Sequence, residues 1–232
     1  MLCDVKHCPR AHAVGLETRN DTYELVMEGD FLFAYTKSRQ IRYAEKICAF
    51  AVDNKKQCII CVTKNGSIQK LVLTNREFKR IESKVLRDEM IGRGVCVEQD
   101  IYVAACNDHE NLILVYDSHL EYKKSIVLDF EPHSVQLHPV ELVLYVLGAK
   151  KCEFAVVCAI RGQVMEKSVL FEGDKAPSDA AFKFFEYEDT WFFMVNTCDG
   201  THSFFDLEDP DHPCATHYEK RDLTIKKASE FL

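Results

Sequence analysis

The stretch from Ile101 to Leu128 constrains the fold more than any other part of the sequence, because it contains three strand-like runs separated by polar turns. Ile101–Cys106 and Leu112–Tyr116 are compact apolar runs, and Tyr122–Leu128 is a third run suited to a strand. The three runs predict an antiparallel meander. Three strands cannot bury both of their faces alone, so this meander needs neighbours of its own kind.

The same order of strands recurs on both sides of this meander. The second strands of four successive units begin at Cys58, Ile101, Leu142 and Trp191. Their spacing of roughly 40 to 50 residues resembles the period of about 40–45 residues of a propeller blade. A leading strand precedes each one, at Cys48–Val52, Val95–Glu98, Ser134–Leu137 and Ala180–Tyr187. Each unit therefore has four strands, a to d, and is predicted to form one blade.

A first, shortened blade is predicted ahead of these four. Its strands b, c and d fall at Tyr23–Met27, Phe31–Tyr35 and Gln40–Tyr43, and Ala11–Leu16 is the candidate for strand a. The predicted fold is thus all-β, a β-propeller of four-stranded antiparallel blades with about five candidate blades. Two alternatives stay open, namely a small closed ring and an incomplete ring that a partner chain completes.

One of these strands carries a resemblance to a known family. The segment Leu112–Asp117, LILVYD, resembles strand c of WD40 repeats, with Tyr116 and Asp117 where the Trp-Asp pair usually stands. Ser203–Asp206, SFFD, is a poorer match, and no Gly-His pair opens any blade. The resemblance implies a non-catalytic scaffold or accessory subunit that binds partner proteins within a multisubunit assembly, including assemblies that act on RNA.

Length and composition limit the number of domains and the cellular compartment that we expect. The 232 residues are predicted to form a single propeller domain, with a flexible N-terminal segment at 1–22. A net charge of −8 argues against a mainly electrostatic grip on nucleic acid. Eleven cysteines, most of them inside apolar runs, indicate a reducing compartment. No apolar run is long enough for a membrane span, so we expect a cytoplasmic or nuclear protein without a membrane partner.

Two groups of residues in the sequence contain potential metal ligands. The stronger candidate for zinc is Cys198, His202, Cys214 and His217, which supply four ligands of the right type, although the spacing departs from known zinc ribbons and fingers. Solvated loops at a blade edge are the alternative. Cys58 and Cys61 match C-x-x-C, but residues three apart in a strand point to opposite faces, so we interpret them as core. No other cofactor is predicted.

Charged residues supply the candidates for partner binding: Lys55, Lys56, Lys150, Lys151, Asp206, Glu208 and Asp209. The alternative is that charges on outer strands and turns only discourage association between sheets. No nucleophile motif and no phosphate-binding loop is present, and we therefore predict that the chain is not an enzyme. The remaining alternatives are a propeller enzyme with a metal or carboxylate site in its channel, and a zinc-stabilised RNA-binding module.

Overall fold

The architecture is built from β-strands. The structure, a computed structural model, describes residues 14–18, 22–138, 141–149, 153–169, 181–187, 190–196, 201–206 and 213–218, with the side chains described up to residue 167. Within these ranges the only helical element is a 3₁₀ turn at Arg87–Glu89. No helix in the described ranges is long and apolar enough to cross a membrane. The predicted all-β class is confirmed.

Successive segments of the chain form antiparallel four-stranded sheets, in which each strand pairs with the next one in sequence. Sheet A contains β1 (Val14–Glu17), β2 (Thr22–Glu28), β3 (Phe31–Tyr35) and β4 (Gln40–Arg42). Sheet B contains β5 (Ile47–Asp53), β6 (Cys58–Thr63), β7 (Ser67–Leu73) and β8 (Phe78–Val85). Sheet C contains β9 (Ile91–Val97), β10 (Ile101–Cys106), β11 (Asn111–Tyr116) and β12 (Tyr122–Leu128). Sheet D contains β13 (Pro132–Leu137), β14 (Val143–Gly148), β15 (Glu153–Cys158) and β16 (Gln163–Val169). Sheet E contains β17 (Ala181–Tyr187), β18 (Thr190–Asn196), β19 (Thr201–Asp206) and β20 (Pro213–Tyr218).

These sheets confirm the predicted four-stranded antiparallel blade. The meander at Ile101–Leu128 forms three successive strands of sheet C, as predicted. The second strands of sheets B to E begin at or next to the predicted positions. The number of sheets that belong to one ring stays a prediction.

Apolar side chains hold neighbouring sheets together in three buried clusters. Sheets A and B share a cluster with Leu25, Leu32, Ile59 and Leu71, sheets B and C one with Ile60, Val62, Val103 and Leu114, and sheets C and D one with Ile113, Val115, Val146 and Val157. Each fully buried aliphatic side chain contributes about 1.5–3 kcal/mol. Sheets A to D therefore pack face to face in chain order, as blades do.

The two cysteines of the C-x-x-C motif lie on opposite faces of β6. Cys58 is buried in the cluster shared with sheet C, whereas Cys61 is buried in the cluster shared with sheet A. Burial raises the pKa of both thiols. The interpretation of this motif as core is confirmed.

The first strands of sheets B, C and D each carry one extra residue at an equivalent place. Ile47 pairs with Thr63 and Ala49 with Val62, which leaves Cys48 as a β-bulge. Corresponding register shifts make Arg93 the extra residue of β9 and His133 that of β13. Bulges of this kind bend a strand and redirect a side chain.

The bulges correct the predicted starts of strand a. The sequence predicted Val95–Glu98 as the first strand of sheet C, but β9 already begins at Ile91. Likewise β13 begins at Pro132, two residues before the predicted start. The extra residue interrupts the alternation of apolar and polar residues, so the beginning of each strand lacks the pattern that predicts a strand.

The first strands of sheets C and D, β9 and β13, are the inner strands of these sheets, and they approach each other closely at Gly94. A Cβ atom added to Gly94 would lie 2.9 Å from the Cα of Ser134, a contact with backbone that cannot move aside cheaply. Gly15 in β1 has nothing within 4 Å of the equivalent position. The absence of a side chain at residue 94 therefore sets the distance between the two strands.

We predict that Gly94→Ala lowers the free energy of unfolding by about 1–3 kcal/mol, the usual cost of overpacking a tight contact. Gly15→Ala is the matched control and should be neutral or slightly stabilising, because alanine reduces the entropy of the unfolded chain. Urea unfolding followed by circular dichroism measures both. Equal stability of the two variants would contradict the close approach.

Candidate functional site

A cleft of about 500 Å³ lies between sheets C and D. Its lining comes from the first three strands of sheet C, the linker into sheet D and the start of β15: Ile91, Arg93, Cys106, Asn107, Asp108, Asn111, Asp129, Phe130, Glu131 and Glu153. Pockets that bind small ligands are of this size, about 300–1,000 Å³. Phe130 gives the cleft a buried apolar surface.

Antiparallel pairing brings these residues to one end of the two sheets. In sheet C, one row across the strands is formed by Ile91, Cys106, Asn111 and Leu128. In sheet D, the equivalent end carries Pro132 opposite Gly148 and Glu153 opposite Val169. Only Asp129, Phe130 and Glu131 connect the two ends. The cleft is thus formed where the chain passes from one sheet to the next.

The bulge residue Arg93 is at the centre of the polar contacts. Its Nη2 lies 3.4 Å from Oε1 of Glu131, and the Cys106 thiol donates to the same oxygen over 4.0 Å. Hydrogen bonding to Cys106 and the charge of Glu131 raise the pKa of the Arg93 guanidinium. A cation, a carboxylate and a thiol therefore meet at one wall of the cleft.

Lys167 neutralises part of the opposite wall. Its Nζ lies 2.9 Å from Oδ2 of Asp129 and 3.8 Å from Oε1 of Glu153, and it sits 5.1 Å from the centre of the Phe130 ring. The hydrogen bond from Lys167 lowers the pKa of the Asp129 carboxyl. This wall is fixed by ion pairs from the outer strand of sheet D.

The rim of the cleft is held by a rigid turn. The Asn107 side-chain oxygen accepts hydrogen bonds from the backbone N–H groups of His109 at 2.9 Å and Glu110 at 2.8 Å. Its amide nitrogen donates to the backbone oxygen of Asp88 at 3.1 Å. Asp88 has φ of 52°, a left-handed conformation that costs energy for a residue other than glycine. The turn and the 3₁₀ linker therefore brace each other.

Carboxylates outnumber cations in the cleft. Asp108, Asp129, Glu131 and Glu153 line it, and they face the lining residue Arg93 and the neighbouring Lys167. With all of these groups ionised, the local charge is about −2, and a cationic group gains from entering. Among the described residues no three His, Cys, Asp or Glu side chains are placed to share a metal ion.

The structure places the predicted partner-binding lysines of sheet B at the other end of that sheet, in the turn between β5 and β6. Lys55 forms an ion pair with Glu98, and Lys56 lies 3.3 Å from the Asp53 carboxylate. Both remain largely exposed. Their role in partner binding stays a prediction, and carboxylates of the chain itself already pair with both charges.

The predicted C-terminal sites fall partly outside the described residues. Lys150, Lys151, Cys198, Glu208 and Asp209 lie outside them. The backbone of sheet E places His202 directly opposite His217 in the pairing of β19 with β20, and Cys214 is the extra residue of a bulge next to this pair. Asp206 is the last residue of β19. The zinc site and the acidic partner site stay predictions.

The sequence did not predict the cleft, because its residues lie in stretches that were expected to connect one blade to the next. Arg93 precedes the predicted strand Val95–Glu98, and Glu131 precedes the predicted strand Ser134–Leu137, so neither residue was assigned to a strand. Their contact joins positions 38 residues apart, which only the stacking of two sheets can bring together. One signal was present, since the glycines flanking Arg93 indicate close backbone approach or a bulge.

Comparison with known proteins shows a likeness in structure. No family model and no curated protein sequence matches the chain. Among solved structures, the dihydro-heme d1 dehydrogenase NirN in complex with DHE is similar with a TM-score of 0.58 at 14% identity, over 84% of this chain and 44% of that one. The Kuenenia stuttgartiensis hydrazine synthase is similar with a TM-score of 0.56 at 15% identity, over 85% of this chain and 66% of that one. The fold is a β-propeller.

These comparisons correct one prediction and leave another untested. The sequence predicted that the chain is not an enzyme. That prediction is wrong, because both of the similar structures are enzymes. At this identity the likeness itself shows the fold alone. The propeller interpretation is confirmed, whereas the WD40 repeat type stays a prediction. This chain spans less than two thirds of either matched chain.

We predict that Lys167→Gln raises the pKa of Asp129 toward its ordinary value, because the variant removes the hydrogen bond that favours the ionised form. The native pair stabilises the fold at neutral pH, and this contribution disappears as the pH falls through the lowered pKa of Asp129. The effect on stability should be small, since both groups are exposed. NMR titration of the carboxyl carbon measures it. Lys84→Gln, which breaks the pair with Glu121, should leave Asp129 unchanged.

Proposed function

We propose that this chain is a propeller module that binds a partner protein within a multisubunit assembly. In this proposal the partner inserts a lysine or arginine side chain into the cleft between sheets C and D. The observation that carries the proposal is the excess of carboxylates over cations in a cleft of about 500 Å³. Opposite charge at a recessed site favours both encounter and correct orientation of a partner.

The shape of the cleft suits such a side chain. Phe130 is 4% exposed and Ile91 is 45% exposed, so an apolar floor and an apolar rim are both present. Lysine and arginine bury an aliphatic stem along apolar surface and keep a charged head for polar partners. Asp108 is exposed at the mouth, where it can meet a charge that arrives from solvent. Small hydrophobic contacts and a charge pair would therefore act together.

We propose a WD40-type ring in which all five four-stranded sheets are blades. Val26 supports this, because it is 1% exposed although it lies on the face of sheet A that points away from sheet B. Sheet E is the candidate to cover that face. We further propose a place in the cytoplasm or nucleus and an assembly that acts on RNA.

The partner proposal predicts that Asp108→Asn combined with Glu131→Gln weakens partner binding at least about tenfold, which corresponds to about 1.4 kcal/mol. The reason is the loss of two carboxylates that attract a cationic side chain. Partners are first identified by co-purification from native extract and mass spectrometry, and their affinity is then measured with purified proteins.

The matched control for this pair is Glu98→Gln combined with Glu121→Gln. It removes two exposed carboxylates that are paired with lysines away from the cleft. The control should bind the partner as the native chain does. Equal weakening by both double variants would point to overall charge instead of the cleft, and unchanged binding by the cleft variant would remove the proposal.

A catalytic role of the same cleft is the second candidate. The observation in its favour is the Cys106 thiol, which shares Glu131 with Arg93 at the cleft wall. A thiol beside a carboxylate that can take its proton and a cation that can stabilise negative charge has the elements of a nucleophilic site. Both similar structures are enzymes, which is consistent with this candidate.

The catalytic candidate predicts that a small alkylating reagent modifies Cys106 several-fold faster than Cys96. Both residues are buried, at 6% and 5% exposure, but Cys106 lines the cleft, whereas Cys96 lies in the core between sheets C and D, where burial raises the pKa of its thiol to about 12. Peptide mass spectrometry over time gives both rates in one sample. Equal rates would mean that the cleft does not expose a reactive thiol and would count against catalysis by Cys106.

A further inference from the structure

A cation of the chain itself lies at the cleft between sheets C and D. Lys167 belongs to β16, the outer strand of sheet D, where it pairs with Ala155 of β15. Its ammonium group lies close to Asp129, Glu153 and Phe130, all of which line the cleft. One wall of the cleft therefore already holds the type of charge that the proposed function brings from outside.

The surroundings of this ammonium group are those of a binding site for a cation. Nζ of Lys167 donates a hydrogen bond of 2.9 Å to Oδ2 of Asp129 and lies 3.8 Å from Oε1 of Glu153. The centre of the Phe130 ring is 5.1 Å away, within the range of about 6 Å for a cation–π interaction. We name Asp129, Glu153 and Phe130 the ammonium subsite. Its two carboxylates face a single ammonium group, so a net negative charge attracts a second cation.

The ion pair that holds Lys167 in the ammonium subsite is weak. The side chain of Asp129 is 72% exposed and that of Lys167 is 35% exposed. Water screens an ion pair between groups this exposed, and fixing a long lysine side chain in one rotamer costs entropy. A ligand that offers another ammonium group therefore competes with Lys167 on nearly equal terms, and small additional contacts decide which of the two stays.

The ammonium subsite is shaped by packing on sheet D. A Cβ atom added to Gly148 would lie 3.0 Å from Cδ2 of Phe130 and 3.0 Å from Cβ of Glu153. The ring and the base of the carboxylate side chain thus pack on the backbone at the end of β14. This is the end of the sheet where the chain passes from one sheet to the next, which we call the linker end. A subsite held by backbone packing keeps its shape when the ammonium group leaves.

We propose that Lys167 is an internal competitor for the ammonium subsite and that a lysine side chain of the partner displaces it. This inference rests on the proposed function, which it deepens by naming lysine as the inserted side chain and Lys167 as the group that limits its affinity. Exchange of one ammonium group for another keeps the contacts of the subsite, while Lys167 moves into solvent. The partner gains from the further contacts that its own chain makes at the cleft.

The geometry of the ammonium subsite favours lysine over arginine. An ammonium group is a compact charge that can be shared between groups on different elements, here the linker before β13 and the start of β15. A guanidinium group is planar and binds best when two parallel N–H groups meet both oxygens of one carboxylate. The two carboxylates of the subsite instead contribute one close oxygen each, at unequal distances from a single nitrogen.

The test titrates the full chain with Nα-acetyl-lysine methylamide and follows the carboxyl carbons of Asp129 and Glu153 by NMR. Apparent affinity falls with the fraction of subsites that are empty, so if Lys167 fills about four in five of them, Lys167→Gln should bind the compound about fivefold more tightly. The norleucine analogue has nearly the same stem without the charge and should not bind. The arginine analogue should bind Lys167→Gln more weakly than the lysine compound does.

Three further variants separate competition from other effects. Lys167→Arg keeps a cation in the subsite and should not tighten binding. Lys123→Gln removes the same charge from an ion pair of 2.6 Å with Asp100 and should bind within about twofold of the native chain. Asp129→Asn added to Lys167→Gln should abolish the gain, because it removes the closest acceptor of the ammonium group.

Two results would overturn the inference. Equal affinity of the native chain and Lys167→Gln for the lysine compound, or binding by neither, would leave Lys167 as a structural ion pair only. An arginine compound that binds as tightly as the lysine compound would contradict an ammonium subsite. A partner that responds to Asp108→Asn/Glu131→Gln but binds native and Lys167→Gln chains equally would retain the proposed function and remove this inference. The fivefold gain with the small compound would support the subsite even where no partner is recovered.

Discussion

Burial of both faces of the middle strands is the constraint on which the structure depends. Every residue of β6 and β10 is buried, and no single sheet can shield two faces of the same strand. Each sheet therefore needs a neighbour before and after it, and the three clusters between sheets A and D supply that cover. This requirement favours a stack that curves back on itself, since a propeller leaves only short, protected edges while an open stack leaves an apolar end in water.

The inner strands meet a second constraint, because successive sheets crowd together near the axis. Gly94 lets β9 approach the backbone of Ser134, and the bulges at Cys48, Arg93 and His133 let each inner strand bend. The extra residue takes one side chain out of the pattern in which successive side chains point to opposite faces of the sheet. At Arg93 this places a guanidinium over the linker that carries Glu131. The geometry that allows tight packing thus also assembles the polar wall of the cleft.

The sequence predicted the parts of the fold that follow from continuous apolar runs. Strands such as Ile101–Cys106 are buried on both faces and are apolar throughout, and their limits were predicted correctly. Strand a was harder, because the bulge and the glycines of β9 remove the pattern that marks a strand. The cleft could not be predicted at all, since Arg93 meets Glu131 only after sheets C and D have packed. Local sequence determines the strands here, and the site depends on the distance between sheets.

The charge of a turn also depends on which strands of its sheet it connects. Turns at the linker end are packed against the next sheet, and their side chains are drawn into ion pairs such as Lys64 with Asp30. Turns between third and fourth strands are held mainly by their own threonine or aspartate side chain, as at Thr36, Thr74 and Asp117. A turn that is fixed internally needs no charge from its remaining residues, so these can vary in sign between sheets without cost to the fold. That independence allows basic turns in sheets A and B beside an acidic one in sheet C, on a single scaffold.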